Sequence, residues 1–336
     1  MIRAGLVGMG LWGRHLVASV QGKSELIRFV AGATRSPASA TEFATTHGIR
    51  MLPSYEALLA DPEIDAVVLA TPHTTHTEQI VAAARAGKAV FTEKPLGVDR
   101  ASCERAVAAC TGHDVTLAVG YNWRFQPALQ EIRRMLEDGR LGKLLHIEGN
   151  FCGPSAYRFK RGHWRHDPGE VPAGGMTGRG VHVVDAMLHL AGRIDTVTAQ
   201  SGRRVQDFGA DDTTSMLFRF ASGASGYLGT FIATAETWRM QVFGSKGWAE
   251  VGDVEHLTTW QLRTCFIDPD DVTRKTRPTV TTFPDTSTER AELEHFAQAV
   301  AAGRRLVVAD SDELHNVAVL DAISRSVASG LRVRVE

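Results

Sequence analysis

The residues Gly8-Met9-Gly10-Leu11-Trp12-Gly13 stand between an apolar run, Ala4 to Val7, and a segment with amphipathic helical spacing, Leu11 to Val20. Glycines at that spacing are informative only where a strand turns into a helix, and both flanks are present here. Gly8 permits the tight turn, Gly10 removes the Cβ that would hold a pyrophosphate away, and Gly13 lets helix and strand pack closely. Backbone N–H groups at the helix start then face the phosphates, helped by the helix dipole. Gly8, Met9, Gly10, Leu11, Trp12 and Gly13 are therefore read as a dinucleotide cradle. The plainer alternative is a glycine-rich turn with no ligand.

The alternation that follows extends this turn into a sheet. Leu26 to Ala33 reads as a second strand, with Ser36 as the cap and Pro37 as the first residue of the next helix, and Gly48 beyond its end. Ala66 to Ala70 is continuously apolar, as expected of a central parallel strand covered on both faces, and Thr71-Pro72 stops it. A helix from about Thr77 to Ala86 ends at Gly87; a strand at Ala89 to Phe91, a helix at Asp99 to Cys110 and a strand at Thr116 to Val119 complete the series. This βαβ repetition predicts an α/β fold with an N-terminal Rossmann doubly wound parallel sheet.

After Tyr121 the rhythm changes. Helical patterns at Pro127 to Leu136 and Val181 to Ala191 enclose a loop rich in Gly, Arg, His and Trp. From Thr196 onward strand-like runs dominate, at Thr213 to Phe220, Tyr227 to Ala233 and Arg239 to Phe243, with Ser222-Gly223 and Gly244-Ser245-Lys246-Gly247 as hairpin turns. Two helices, Glu289 to Ala302 and Glu313 to Ser329, precede a short strand at Arg332 to Val335. The second half is thus expected to be an α+β domain with a large, open-faced, mostly antiparallel sheet. At 336 residues the chain is long enough for two cores. We place the dinucleotide-binding domain at residues 1–122 and a substrate-binding and oligomerisation domain at 123–336.

Charge excludes several partners. The 37 basic and 38 acidic residues leave a formal charge of −1, which gives no general attraction to nucleic acid or anionic membrane. No stretch approaches the roughly 18 apolar residues needed to cross a bilayer. Arg3 with Ala4 to Gly13 superficially resembles a secretory signal, but four glycines within ten residues make a poor apolar core. Cys103, Cys110, Cys152 and Cys265 form no CxxC pair, and a cytoplasmic location is expected.

Further motifs follow the N-terminal glycines: Thr71-Pro72 with His76, Ala86-Gly87-Lys88 leading to Glu93-Lys94-Pro95, and Asn122 with Arg124-Phe125. They continue with Trp164-Arg165, Gly174-Gly175, Gly180 to Asp185, and the hairpin around Gly244 and Gly247. In this order the motifs resemble the glucose-fructose oxidoreductase and inositol dehydrogenase (Gfo/Idh/MocA) family along nearly the whole chain. The resemblance implies hydride transfer between a nicotinamide and a sugar, cyclitol or related small polar molecule. It also implies a homodimer or homotetramer built through the C-terminal sheet. Carried over by motif, Thr71, Pro72, His76, Glu93, Lys94, Pro95 and Asn122 are candidate cofactor contacts, and the peptide bond after Lys94 is expected to be cis.

Oxidation of a secondary alcohol needs a base for the hydroxyl proton and a donor for the oxygen, and Lys94 and His182 can supply both. A lysine partly desolvated beside a nicotinamide is expected to move toward useful base strength, and imidazole already titrates near neutrality. The plainer reading of Lys94 is an ion pair with Glu93. His182, Asp185 and His189 share one helical face, but the two histidines are two turns, about 10 Å, apart, which disfavours a shared metal. The family commonly has an aspartate four residues before the histidine, where this chain has Gly178.

No acid follows the second strand, where one would hydrogen-bond the ribose hydroxyls of NAD. Thr34, Arg35 and Ser36 stand there instead, and Arg35 can pair with a 2′-phosphate, so NADP(H) is favoured over NAD(H). Asn122, Arg124, Trp164, Arg165 and Arg179 join Lys94 and His182 as candidate substrate contacts, against a reading of the basic run as solvated surface. The other readings of the same residues are a redox-neutral nicotinamide-using glycosidase or epimerase, and a non-catalytic dinucleotide sensor.

Overall fold

A computed structural model describes residues 1–304 and 312–336. They group into two compact units. One is Met1–Asn122 with the segment beginning at Glu289, and the other is Trp123–Thr288 with His315–Glu336.

The first unit is built on β1 (Ile2–Val7), β2 (Ile27–Ala33), β3 (Arg50–Met51), β4 (Ala66–Leu69), β5 (Ala89–Glu93) and β6 (Leu117–Gly120). They form a parallel sheet in the order β3-β2-β1-β4-β5-β6. All four residues of β4 and all five of β5 are buried, as their apolar runs require for strands covered on both faces. Strand order reverses between β1 and β4, so the crevice beyond their carboxyl ends lies at Gly8 and Ala70, where such sheets bind ligands.

Most of the expected elements form within a few residues of their predicted bounds, and the exceptions have local causes. Ser36 makes no side-chain cap: Pro37–Ser39 is a single 3-10 turn in which Ser39 Oγ donates to Ser36 O at 2.9 Å, and the helix proper is Thr41–Thr46. Asp99 does cap its helix, accepting from Ser102 N at 2.8 Å. β3 and the helix Tyr55–Ala60 were not expected, because two residues and six residues carry too little periodicity to be read.

Helix Thr288–Ala301 supplies Leu293, Phe296 and Ala297 to the core of the first unit, with Leu6, Leu16, Phe29 and Phe91. Phe296 meets Phe91 edge-on at 5.8 Å. Arg290 Nε and Thr116 Oγ1 add hydrogen bonds to Ser19 O and Arg304 O. A boundary drawn by chain order alone does not anticipate this return.

The second unit holds a nine-stranded sheet of β7 (Leu144–Cys152), β8 (Ile194–Gly202), β9 (Thr213–Phe220), β10 (Ser225–Phe231), β11 (Thr237–Gly244), β12 (Gly247–Asp253), β13 (Leu262–Phe266), β14 (Thr279–Thr281) and β15 (Val333–Arg334). Its order is β14-β13-β12-β11-β7-β10-β9-β8-β15, with β7 and β10 parallel and the other pairs antiparallel. Burial alternates along β9, so Met216, Phe218 and Phe220 face the core while Leu217 is 59% exposed. The covered face carries helix Val181–Ala191, which comes close because β7 has Gly149; a Cβ there would lie 2.8 Å from Val183 Cγ1. Among the described residues no helix is long and apolar enough to cross a membrane.

Truncating the ring that anchors the returning helix tests its contribution. Phe296→Ala is expected to lower unfolding free energy by about 3–5 kcal/mol, measured by urea denaturation.

Candidate functional site

Within the first unit the glycine turn shows the tight bend at Gly8 and the close helix–strand approach at Gly13 that its spacing predicts. Gly8 has φ +93°, and a Cβ there would lie 2.4 Å from Ala70 O. A Cβ on Gly13 would lie 2.1 Å from Gly8 O, whereas one on Gly10 would meet nothing within 4 Å. Helix Leu11–Val20 begins at Gly10 with no side-chain cap, so its first N–H groups point outward without a side-chain acceptor. An uncapped helix start beside open space fits the pyrophosphate of a dinucleotide.

The neighbouring side chains divide their work. Met9 is buried and packs where a Cβ on Gly32 would lie 2.9 Å from its sulfur, Arg14 Nε ties Met9 O at 3.1 Å, and Leu11 is 91% exposed. Half-buried Trp12 packs on the core and stacks on His15 at 5.0 Å. Beyond β2, Thr34 is half-buried while Arg35 and Ser36 are exposed, and Arg35 has no ion-pair partner among the described residues.

His76 is fully buried, with Nδ1 2.9 Å from Pro95 O and Nε2 3.1 Å from Thr71 O. Both neighbours are carbonyl acceptors, so the ring braces the loop after β4 against the loop after β5. Thr75 Oγ1 donates to Pro72 O at 2.7 Å and Thr71 Oγ1 to Gln79 Oε1 at 2.6 Å, which fixes the Thr71-Pro72 turn. The Lys94-Pro95 peptide is cis, and Lys94 is half-buried.

Glu93 ends β5 with its carboxylate inside the unit; a Cβ on Gly120 would lie 3.0 Å from Oε1. Burial pushes this carboxyl up to about 7, against the pull of the Lys94 charge and of Trp12. Asn122 Nδ2 donates to Glu289 Oε1 at 3.0 Å, and His15 Nε2 lies 3.7 Å from the same oxygen. Burial alone would raise Glu289, yet its carboxyl is held below the ordinary range by His15 and Asn122, and Glu289 in turn raises His15. Neither His15 nor Glu289 was expected from the sequence. The available signal was an acid among the core-facing residues of a C-terminal helix.

Within the second unit, His182 is buried on helix Val181–Ala191, its ring stacked on Trp123 at 5.4 Å and 23°. A π-helical turn, Met176–Gly180, leads into that helix. Such turns are frequent at functional sites. A Cβ on Gly178 would meet nothing within 4 Å, so the position without the family's acid is open space.

Arg124 forms a bidentate pair with buried Asp185, at 2.6 Å from Nη2 and 2.9 Å from Nε. His189 lies 2.9 Å from Arg133 Nη1, and burial, with Arg124 and Arg133 nearby, pushes it down to about 3. The two groups that would join His182 in a metal site are thus engaged by arginines, and the described residues contain no cluster able to hold a metal ion. Arg179 stacks over Phe151 at 4.9 Å and donates to Glu236 Oε1 at 2.6 Å and Cys152 O at 3.0 Å. Arg165 is exposed and lies 4.1 Å over the ring of half-buried Trp164.

A glycine cradle on a parallel sheet, followed by a Glu-Lys-cis-Pro turn and a unit with a large mixed sheet, defines a two-part nucleotide-binding oxidoreductase. Residues 2–121 match the oxidoreductase family with an NAD-binding Rossmann fold, and residues 129–250 match the GFO/IDH/MocA C-terminal domain. The chain belongs to the GFO/IDH/MocA family. It is 29% identical to inositol 2-dehydrogenase of Rhizobium meliloti over 99% of both chains. It is 28% identical to D-xylose 1-dehydrogenase (NADP(+)) 2 of Haloferax volcanii, covering 99% of this chain and 98% of the relative. Levoglucosan dehydrogenase, solved with NADH and L-sorbose, shares the fold with a TM-score of 0.88 at 23% identity, over 100% of this chain and 99% of the other.

The raised carboxyl of Glu93 has a consequence for stability. Because its folded value lies above the ordinary 4.5, its contribution is whole below that value and is lost as pH rises through about 7. Glu93→Gln is expected to be stabilising relative to the native chain by about 2 kcal/mol at pH 8 and by much less at pH 5, read from urea unfolding at the two pH values.

Proposed function

We propose that this protein interconverts a secondary alcohol and the corresponding carbonyl on a sugar, cyclitol or related small polar molecule, with NADP(H) favoured over NAD(H). The observation that carries the reading is the uncapped helix start at Gly10, where a Cβ would meet only open space. Support for a polyhydroxylated substrate comes from relatives named for inositol and D-xylose. When bound, the nicotinamide supplies the hydride acceptor or donor.

The remaining chemistry falls to the chain. Lys94 and His182 handle the proton of the substrate hydroxyl and donate to its oxygen, and Asn122 steadies the nucleotide end of the first unit through Glu289. Trp164 and Arg165 offer an aromatic face and an exposed guanidinium to a polar substrate. Arg124 and Arg179 are held by Asp185 and Glu236, and act by fixing the elements that carry His182 and Phe151. Arg35, exposed after β2 with no acid beside it, favours a 2′-phosphate. The relatives and solved structures include users of both nucleotides, so the preference rests on this residue.

We also assign a cytoplasmic location, in keeping with four free thiols, and a homodimer or homotetramer formed through the open face that presents Leu217. A monomer mass at all concentrations in sedimentation equilibrium would remove the assembly.

Incubation with NADP and a panel of cyclitols and aldoses is expected to raise nicotinamide absorbance. Lys94→Ala is expected to lower the rate by about 10²–10⁴-fold while nucleotide binding, followed by fluorescence, persists. No turnover of any such alcohol by the native protein would overturn the reading. Arg35→Ala is expected to weaken NADP binding by roughly tenfold, about 1.4 kcal/mol, and to leave NAD binding unchanged. An unchanged ratio would overturn the nucleotide preference.

A further inference from the structure

Three buried side chains of the second unit are spent on one short loop. Trp238 Nε1 donates to Glu255 O at 3.0 Å, Trp260 Nε1 to His256 O at 3.1 Å, and Gln126 Nε2 to Thr258 O at 2.9 Å. Trp238, Trp260 and Gln126 are all at most 3% exposed. Loops that only connect strands are ordinarily held by few such bonds and vary in position. This one, between β12 and β13, is pinned at three carbonyls within four residues, and His256 is among them.

The pinned loop delivers an imidazole to the candidate site. The His256 ring meets Phe151 edge-on at 4.7 Å and lies 6.3 Å from Trp123, the ring on which His182 stacks. The His182 and His256 centroids are 6.4 Å apart, inclined at 46°. That separation is within reach of a direct contact between ring nitrogens or of one bridging water. His182 is 6% exposed, whereas His256 is half-buried and has part of its surface open to solvent.

We infer that His256 is the proton partner of His182, receiving the proton that His182 takes up and passing it to solvent. The inference rests on the proposed role of His182 at the substrate hydroxyl. In the oxidising direction the hydroxyl proton goes to one nitrogen of His182, the opposite nitrogen releases its proton to His256, and His256 releases one to water. Both rings end neutral after tautomer reset, and no further reactant is needed. His256 acts through His182 and is a positioning and relay residue. Gly178, where the family commonly has an acid, has no side chain to share that proton, and a Cβ there would meet nothing within 4 Å.

On the elements that carry the pair, Asp185 on the His182 helix holds Arg124, Arg179 before that helix holds Glu236, and Glu255 on the loop is exposed.

The test uses the full-length protein with no nucleotide or substrate. In ¹⁵N-histidine-labelled protein followed by NMR from pH 5 to 9, His182 is expected to titrate in two steps separated by roughly one pH unit or more, because two rings this close share their protons. His256→Gln and His256→Phe are each expected to reduce this to one step. Near-ultraviolet circular dichroism of the tryptophan cluster checks that the fold is kept. A single-step curve for His182 in the native protein overturns the inference whatever the variants do, and so does a two-step curve that survives both substitutions. If the two steps are seen and the variants remove them, yet no alcohol is turned over, the pair stands and the dehydrogenase reading fails.

Discussion

The first unit depends on a contact that only hydrogen atoms can make. With Gly8 at positive φ against Ala70 O, and Gly13 close to Gly8 O, there is no volume for a side chain at either position. The close approach lets helix Leu11–Val20 start directly over the end of β1, at the point where strand order reverses. It also leaves the first turn of that helix uncapped. The same steric constraint therefore sets the packing of helix on sheet and leaves a helix start without a side-chain cap, suited to an anion.

Around that turn, polar groups are buried in pairs and bridges. His76 links two carbonyls from different loops, and Asn122 and His15 share Glu289. Glu93 is the costly member, since burial drives its carboxyl toward the neutral form despite the lysine beside it. Such groups lower stability when taken alone. They hold the Thr71-Pro72 and Lys94-Pro95 turns in one arrangement, which the role proposed for Lys94 requires more than it requires added stability.

The second unit uses aromatic packing for the same end. Trp123, Trp238 and Trp260 meet at centroid distances of 4.2 to 5.0 Å and form the floor on which His182 stacks. Each indole hydrogen bond made by Trp238 and Trp260 goes to the loop that carries His256. Arginines that look like free ligand contacts in one dimension are ion-paired in the fold: Arg124 and Arg179 have carboxylate partners within the unit. A guanidinium is drawn to the nearest desolvated carboxylate, and sequence position does not reveal which one that will be.

The glycine spacing, the apolar runs of β1 and β4 and the proline after Lys94 determined the nucleotide fold, the family and the position of the candidate lysine, because backbone sterics and strand burial are local properties. Helix Val181–Ala191 was readable to the residue for the same reason. Only the tertiary structure decided that helix Thr288–Ala301 returns to the first core, that His76 is a brace, that Arg124 belongs to Asp185, and that His256 stands beside His182. Those outcomes follow from which desolvated groups and apolar faces meet across long sequence separations. No periodicity or motif along the chain records such pairings.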